Sequence, residues 1–240
     1  MVDAAFGEEW QADGLRTLGR MDSLPEMLVQ AAELAVGLPG ADMAAVSLVT
    51  DQVRIEIAAA TDPIADRACR LQMELGEGPL FRAISRQVVV YLDDLHSEHR
   101  WPRWAAQVSG ELGLRSMLNY QLFTDGAQLG ALSLYSPKPD AFDPEVVDAG
   151  YLFAAHVGVA VSQIKERRSL RSAIASRTLI GQAEGILMER YGLDGDAAFS
   201  ALRRVSQNRN VKLREIASEL VRTRQLEGLS DVAADERQHS

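Results

Sequence analysis

Apolar and polar positions in the first third of the chain alternate between helical and extended spacing. Apolar residues recur at helical spacing from Leu15 to about Val36, and Gly37-Leu38-Pro39-Gly40 ends that pattern. Apolar and β-branched runs then occupy 44–49 and 52–58 on either side of the polar pair Thr50-Asp51. The pattern predicts one helix followed by a β-hairpin.

The middle of the chain mixes short helical and extended patterns. Residues 62–74 and 79–85 have helical spacing, and Gly76-Glu77-Gly78-Pro79 separates them as a turn that requires positive φ. Residues 88–92 predict a short strand, and 96–112 predict a loop followed by a helix.

A second hairpin and a very long helix follow. Strands are predicted at 116–123 and 128–135, joined by Thr124-Asp125-Gly126. Helical spacing then continues almost unbroken from Pro144 to about Tyr191, a length typical of a coiled coil or helical linker. This element order predicts an α+β domain with a central, mostly antiparallel sheet flanked by helices, which we place on one side.

The last quarter predicts two further helices, which form an all-α three-helix bundle with the end of the long helix. Gly192 fits a left-handed helix end, Asp194 or Asp196 can cap the second helix, and Asn210 can cap the third. The expected core consists of Ala173, Ile180, Ala183, Ile186, Leu187, Phe199, Leu202, Leu213, Ile216, Ala217 and Leu220.

Composition limits the class of protein. The 240 residues are 47% hydrophobic, which is enough for a sizeable core, and no apolar run approaches a membrane span. The acidic N-terminus lacks the basic and apolar regions of a signal peptide. Cys69 is the only cysteine, so neither an intramolecular disulfide nor a cysteine-based metal site is expected. We expect a soluble cytoplasmic protein.

Charge is distributed unevenly along the chain. Residues 165–224 hold 13 Lys/Arg and 7 Asp/Glu, a local charge of +6, whereas 1–164 carry −12 and 225–240 carry −3, within a total of −9. A basic segment joined to an acidic one is typical of a nucleic-acid binder whose other domain has a different task. An Arg-rich helical bundle that is simply solvated gives the same pattern, so charge alone does not decide between the two.

Polar and small residues interrupt the apolar pattern of the basic segment in a specific order, and this order resembles the ANTAR domain. The matching clusters are Ser176-Arg177, Ile180-Gly181-Gln182-Ala183, Gly185-Ile186-Leu187-Met188, Ala197-Ala198-Phe199, Leu202-Arg203, Ser206-Gln207, Asn210-Val211-Lys212-Leu213 and Ile216-Ala217. The resemblance implies a three-helix RNA-binding module of bacterial transcription antiterminators, which binds paired hairpins in mRNA leaders.

The preceding segment resembles the GAF sensory domains found ahead of ANTAR modules. The clusters are Leu71-Gln72, Leu75-Gly76-Glu77-Gly78-Pro79, Asp93-Asp94-Leu95, Arg100-Trp101-Pro102, Gly113-Leu114-Arg115-Ser116, Leu129-Gly130-Ala131-Leu132, Leu134-Tyr135 and Ala141-Phe142-Asp143. GAF domains sense small molecules or serve as ligand-free dimerisation modules, so the resemblance predicts the fold better than the ligand. Leu80 stands where relatives often carry cysteine, which argues against thiol sensing or chromophore attachment there.

The predicted organisation has four parts. These are a flexible arm (1–13), a GAF sensory domain (14–162), an ANTAR RNA-binding domain (163–226) and an acidic flexible tail (227–240). No nucleophile–base pair or catalytic motif stands out, so the chain is not expected to be an enzyme, and no cofactor is implied. The long helix predicts a homodimer.

Candidate RNA-binding residues come from the basic segment: Arg177, Gln182, Arg203, Arg204, Arg209, Lys212 and Arg214. The alternative for the cations is a solvated face, and for Arg177 and Gln182 it is hydrogen bonding between helices. Gly181 and Gly185 each cost roughly 1 kcal/mol of helix stability relative to Ala. Close packing against another helix explains that cost more readily than close approach of RNA.

Candidate ligand contacts in the GAF segment lie on predicted strands or at their start: Ser47, Arg115, Ser116 and Tyr120. His96 and His99, with acidic neighbours, have a spacing that a metal could use, but solvated loop residues account for them better. Trp101 and Trp104 could line a pocket, although core packing is the better interpretation.

Two other functions compete with RNA binding. The last two helices could form a helix-turn-helix that binds duplex DNA. Alternatively, the GAF segment could be an enzyme acting on a small metabolite, with the ANTAR part vestigial.

Overall fold

The chain divides into two compact units, Met1–Glu166 and Arg167–Ser240. The structure is a computed structural model that describes residues 14–50, 54–86, 89–124 and 127–226. The predicted arm at 1–13, the tail at 227–240 and parts of both hairpin turns therefore lie outside the described residues.

The first unit is built on a five-stranded sheet. Its order is β2-β1-β5-β4-β3, and each neighbouring pair is antiparallel. Both predicted hairpins are present, as β1 with β2 and β4 with β5. The strands are β1 Met43–Val49, β2 Ile55–Ala60, β3 Val90–Leu92, β4 Ser116–Thr124 and β5 Ala127–Ser136.

Four of the five helices described in the first unit have a proline at their first or second residue. Asp62 caps α3 by accepting from the Ile64 amide at 2.7 Å, and Gly76 ends it at φ 67°. Gly78 also has positive φ, as predicted for this turn. The helices are α1 at 14–20, α2 Leu24–Ala35, α3 Pro63–Leu75, α4 Pro79–Arg86 and α5 Pro102–Glu111, with a 3₁₀ turn at Leu95–Ser97.

Successive strand residues point to opposite faces of the sheet and contribute to two apolar layers, one on each face. Val46 and Leu132 pack with α2 and the start of the long helix α6. Ala45 and Met117 pack with α3 and α5 on the opposite face. The placement of all helices on one side of the sheet was therefore wrong: each face has an apolar row to bury, and each is covered.

The predicted long helix is a single element, α6 (Pro144–Tyr191), of 48 residues. Phe153, Val157 and Val161 bury its first part in the sheet layer. Gly158 is needed there because a Cβ would lie 2.7 Å from the carbonyl oxygen of Phe123.

Within the described residues, α6 is also the one helix long and apolar enough to cross a membrane by length and composition, with a mean hydropathy of 1.2 over 18 residues. The expectation that no apolar run approaches a membrane span is corrected to that extent. Since 44% of that window is buried within the protein, a core helix accounts for the same composition.

The second unit packs the end of α6 with α7 (Gly195–Arg209) and α8 (Leu213–Thr223). Gly192 takes φ 67°, and the Asp194 carboxylate accepts from the Ala197 amide at 2.8 Å, as predicted for the α7 start. The buried core comprises Ala183, Leu187, Leu193, Ala197, Ala198, Ala201, Leu202, Val205, Ile216, Ala217 and Leu220.

Three predictions about this bundle were wrong. Asn210 does not cap α8: it ends α7 in the left-handed region at φ 51°, and Lys212 precedes α8 without a side-chain cap. Ala173 and Phe199 were expected in the core but are exposed. Phe199 follows the buried Ala198 and lies off the apolar stripe formed by Ala198, Ala201 and Leu202.

Candidate functional site

A tight turn joins α7 to α8 and holds several of the predicted cations. The Ser206 hydroxyl donates to the Val211 carbonyl at 2.6 Å, and the Asn210 amide donates to the Gln207 carbonyl at 3.2 Å. These bonds fix the turn between the helices. Lys212, in the turn, is exposed. Arg203 and Arg214, on the helices that flank the turn, are exposed as well.

Three of the predicted cations already have partners within the unit. Arg209 forms an ion pair with Glu219, with its two Nη atoms 3.1 and 3.0 Å from the carboxylate oxygens. This pair links the end of α7 to α8. Arg204 is half-buried and also engaged within the protein. Arg204 and Arg209 therefore have structural roles. Arg214 pairs at 4.0 Å with its exposed neighbour Glu215, and Arg203 has no ion pair among the described residues.

Arg177 and Gln182 lie on the exposed side of α6. Within the described part of the chain, neither side chain makes the interhelical hydrogen bond that we considered as an alternative to RNA contact. A Cβ placed on Gly181 or Gly185 meets nothing within 4 Å. The interpretation that the two glycines allow close helix packing is therefore wrong for helices of the same chain.

A groove of about 470 Å³ runs beside these positions between α6 and α8. Arg190 crosses its end, where Nη1 donates to the Arg224 carbonyl at 2.6 Å. The lining residues are Gln182, Gly185, Ile186, Glu189, Arg190, Val221 and Arg224. Because Gly181 and Gly185 have no side chains, the α6 backbone next to Gln182 is left uncovered.

Phe199, predicted in the core, is a surface residue. Its side chain is 38% exposed and lies one helical turn before Arg203 on α7. The signal was present in the sequence, since the core stripe of α7 is complete without residue 199.

In the first unit, buried amides hold α4 against the sheet. The Gln72 side chain, from α3, accepts from the Leu80 amide at 2.8 Å, and Gln121 Nε2, from β4, donates to the Ile84 carbonyl. Gly78 is required because any Cβ there would overlap the Gln72 side chain. The two glutamine side chains therefore hydrogen-bond to the backbone of successive turns of α4.

Three buried polar atoms at this place have no hydrogen-bond partner among the described residues: Ser47 Oγ, Gln72 Nε2 and Gln121 Oε1. Ser47 and Gln121 both pair with Ala131 of β5, so they lie in one row across the sheet. Leu80 and Ile84 of α4 cover that row through Ala131. Unpaired buried polar atoms are rare and each costs about 1–3 kcal/mol.

The other predicted ligand residues have partners elsewhere. Arg115 pairs with Asp94 at 2.7 Å, and this guanidinium, with the His96 amide, lowers the pKa of the carboxyl to about 2. The Ser116 hydroxyl donates to the Lys138 carbonyl at 2.7 Å. Tyr120 faces α6 and donates to the Val147 carbonyl at 3.2 Å, on the opposite face from Ser47.

Cys69 is fully buried beneath the sheet, with its thiol 3.2 Å from the Tyr135 hydroxyl. Burial raises the pKa of the thiol, although the hydrogen bond with the Tyr135 hydroxyl partly offsets that effect. Leu80, at the position where relatives often have cysteine, is buried as well. The first unit therefore presents a protected thiol rather than a reactive one.

Among the described residues, no group of three or more His, Cys, Asp or Glu side chains could hold a metal ion. His96 and His99 are surface residues. Trp104 packs in the core and its Nε1 donates to the Ala68 carbonyl at 3.0 Å. Trp101 instead lines a shallow surface groove of about 420 Å³ with Phe81 and Arg82.

Two solved GAF-type structures that each cover 70% of this chain share its fold. The GAF domain of a phosphoenolpyruvate-protein phosphotransferase from Coxiella burnetii is 16% identical with a TM-score of 0.57, covering 70% of this chain and 99% of that one. Free methionine-R-sulfoxide reductase from Neisseria meningitidis, solved with its substrate, is 15% identical with a TM-score of 0.55, covering 70% and 95%.

A longer similar structure is the phytochrome photosensory core module of Stigmatella aurantiaca. It is 15% identical with a TM-score of 0.58 and covers 86% of this chain, which spans only 45% of that one. At these identities the likeness concerns fold alone. No curated protein matches the chain.

Family models assign both units. The GAF domain model matches residues 22–162, more than half of the chain, and the ANTAR domain model matches residues 168–221. The two matches agree with the two resemblances read from the sequence, and the combination is a regulatory rather than a catalytic architecture. The chain therefore belongs to the GAF domain family and carries an ANTAR domain at residues 168–221.

Proposed function

We propose that this protein is a transcription antitermination regulator that binds paired hairpins in mRNA leaders through its second unit. The observation that carries the proposal is the ANTAR match over residues 168–221, within the segment of local charge +6. Exposed cations on a rigid three-helix scaffold suit the dense phosphate of small RNA hairpins. Holding these hairpins prevents the competing terminator hairpin from forming.

Within that unit, we assign RNA contact first to Arg203, Lys212 and Arg214, in and beside the α7–α8 turn. They are exposed on elements whose positions are fixed by the Ser206 and Asn210 hydrogen bonds. Arg177 and Gln182 form a second set on α6, where Gly181 and Gly185 leave room for close approach. Arg204 and Arg209 support the scaffold and contribute positive potential.

The outward side of α6 is proposed to form a homodimer. Leu152 and Val159 are seven residues apart and are 60% and 49% exposed. Leu170 and Ile174, further along the helix, are exposed as well. Leu152 and Val159, seven residues apart on the side of α6 that the sheet does not cover, fit the seven-residue repeat of a two-stranded coiled coil. A dimer brings two ANTAR units to one transcript, which matches a target made of two hairpins.

We propose that a signal molecule binds at three buried polar side chains beneath α4, those of Ser47, Gln72 and Gln121, which we call the amide row. Gln72 Nε2 offers a donor, Gln121 Oε1 an acceptor, and Ser47 a hydroxyl that can serve as either. None of the three is charged. A small neutral molecule that displays both a donor and an acceptor would satisfy them after displacing part of α4. It would then favour one state of the protein, as any signal must.

The amide row can be tested by recovering what it binds. Small molecules released by denaturing the protein, after purification from its own cells, are identified by mass spectrometry. Gln121→Leu is expected to remove a compound that the exposed control Gln128→Leu retains. Recovery of the same compounds from both variants would contradict this assignment.

RNA binding is tested by ultraviolet crosslinking in cells and sequencing of the attached RNA. Enrichment of leader segments with two neighbouring small hairpins is the expected result. Competition on the purified protein, with these hairpins against duplex DNA, distinguishes RNA from the helix-turn-helix alternative. Background RNA recovery together with preferential binding of duplex DNA would overturn the proposal.

The double variant Arg203→Ala with Arg204→Ala tests the placement of the site. It is expected to stay folded and dimeric while losing RNA affinity. Since Arg204 is half-buried and engaged, circular dichroism and the single Arg203→Ala variant separate loss of contact from loss of structure. Wild-type affinity in a folded double variant would place the RNA elsewhere.

A further inference from the structure

We propose that Phe199 is a platform on which an unpaired base of the RNA stacks. The inference rests on the proposed RNA-binding function and adds a base-contacting residue to the cationic turn. Its starting observation is an aromatic side chain that is 38% exposed, although α7 completes its core without it.

The residues around Phe199 suit single-stranded RNA. Arg203 and Gln207 follow at intervals of four, so all three lie on the same exposed side of α7. The side chains are an aromatic ring, a guanidinium and an amide. Unpaired bases in RNA loops are bound by stacking on aromatic rings or guanidinium planes and by hydrogen bonds from amides.

Charge along α7 orients the RNA on this face. The N-terminal end carries Asp194 and Asp196, whereas Arg203, Arg204 and Arg209 lie in its second half. Phosphates therefore lie toward the end of α7 and the α7–α8 turn. A base reaching back from that backbone arrives over Phe199, one helical turn before Arg203. The ring, one helical turn before Arg203, is thus within reach of a base whose phosphates lie on the basic half of α7.

A second copy of this chain could also cover an exposed phenylalanine. The more exposed apolar residues of α6, which we assign to the dimer, are on a different helix. Phe199 has polar neighbours on its face instead: Asp196, Arg203 and Gln207 are all exposed. We therefore assign it to RNA, and the dimer becomes an outcome that the experiment distinguishes.

The test uses the full-length protein and a fluorescein-labelled transcript carrying two hairpins identified by crosslinking. Phe199→Ala is expected to weaken binding by roughly 10- to 100-fold, the usual loss for one stacked base. Phe199→Trp is expected to keep near-wild-type affinity, since any aromatic ring can stack. Met188→Ala is the matched control, because Met188 is 42% exposed in the same unit and is expected to leave affinity unchanged.

A second probe identifies the partner of the ring. In transcripts whose loop bases are replaced one at a time by abasic sites, one replacement should weaken wild-type binding and cause no further loss with Phe199→Ala. Circular dichroism and light scattering establish that the variants are folded and show their assembly state. Unchanged affinity of Phe199→Ala would overturn the inference while leaving the RNA-binding function intact.

Dissociation of the Phe199→Ala dimer, with RNA affinity falling in step, would assign the residue to a second copy and also overturn the inference. Failure of wild-type protein to bind the transcript would instead remove the proposed function, and this inference with it.

Discussion

At the scale of single residues, the pairing of Asp94 with Arg115 makes part of the stability depend on pH. The folded pKa of Asp94, about 2, lies below the ordinary value of about 3.9 for an aspartate. Because the pKa is depressed on folding, the contribution is present above about pH 4 and is lost as the pH falls through about 2. Arg115→Met should raise the pKa, since the main partner is removed. Carbon-detected NMR titration measures it, and a wild-type pKa near 4 would contradict the assignment.

Glycines in α6 should respond in opposite ways to the same substitution. Gly181→Ala and Gly185→Ala are each expected to stabilise the helix by up to ~1 kcal/mol, since the new Cβ meets nothing. Gly158→Ala is the matched comparison in the same helix, and its Cβ would press on the Phe123 carbonyl. Hydrogen exchange of peptides from each half of α6 measures the effects. Loss of protection at 181 and 185 would indicate packing that the structure does not show.

These residues also mark the limit of what the sequence predicts. The capping of α7 by Asp194 and the left-handed Gly192 follow from local chemistry, so they could be read directly. The open side of Gly181 depends on how three helices pack, which local spacing does not determine. Similarly, the sequence marks Tyr120 as a strand residue, but only the register shows that it faces α6.

At the scale of elements, most helices and strands follow from periodicity because their apolar faces are regular. The long helix was predicted with its observed bounds, since nothing between Pro144 and Tyr191 breaks helical spacing. The two-sided covering of the sheet was not predicted. Strands β1 and β4 are buried on both faces, so they lack the clear alternation that a one-sided sheet would show. The amide row under α4 was missed because Gln72 and Gln121 are far apart in the chain.

The α6 seam yields a prediction about assembly. Leu152→Glu with Val159→Glu places two carboxylates on the proposed dimer interface and should convert a dimer into a monomer of 26.2 kDa. Lys165→Glu, at another exposed position of the helix, is expected to leave the dimer intact. Light scattering coupled to size exclusion gives the mass directly. A wild-type protein that is already monomeric at micromolar concentration would contradict a constitutive dimer.

At the scale of the whole molecule, RNA affinity should follow the charge of one unit and not the net charge of −9. Counterions released from the RNA make log K fall linearly with log salt, with a slope of about −0.7 per phosphate contact for single strands. Arg203→Gln should make that slope shallower by about 0.7 and weaken binding at low salt. Glu33→Gln, on α2, also changes the net charge by one, but it lies in the acidic unit.

Screening separates the two cases, because the Debye length is about 8 Å at physiological salt. We place no RNA contact in the GAF unit, so Glu33→Gln should leave both slope and affinity unchanged. Fluorescence anisotropy across 50 to 300 mM salt, about a sixfold range, resolves the difference. Equal and opposite shifts in affinity from the two substitutions would mean that the RNA responds to the net charge. That result would contradict the assignment of the basic unit as the binding surface.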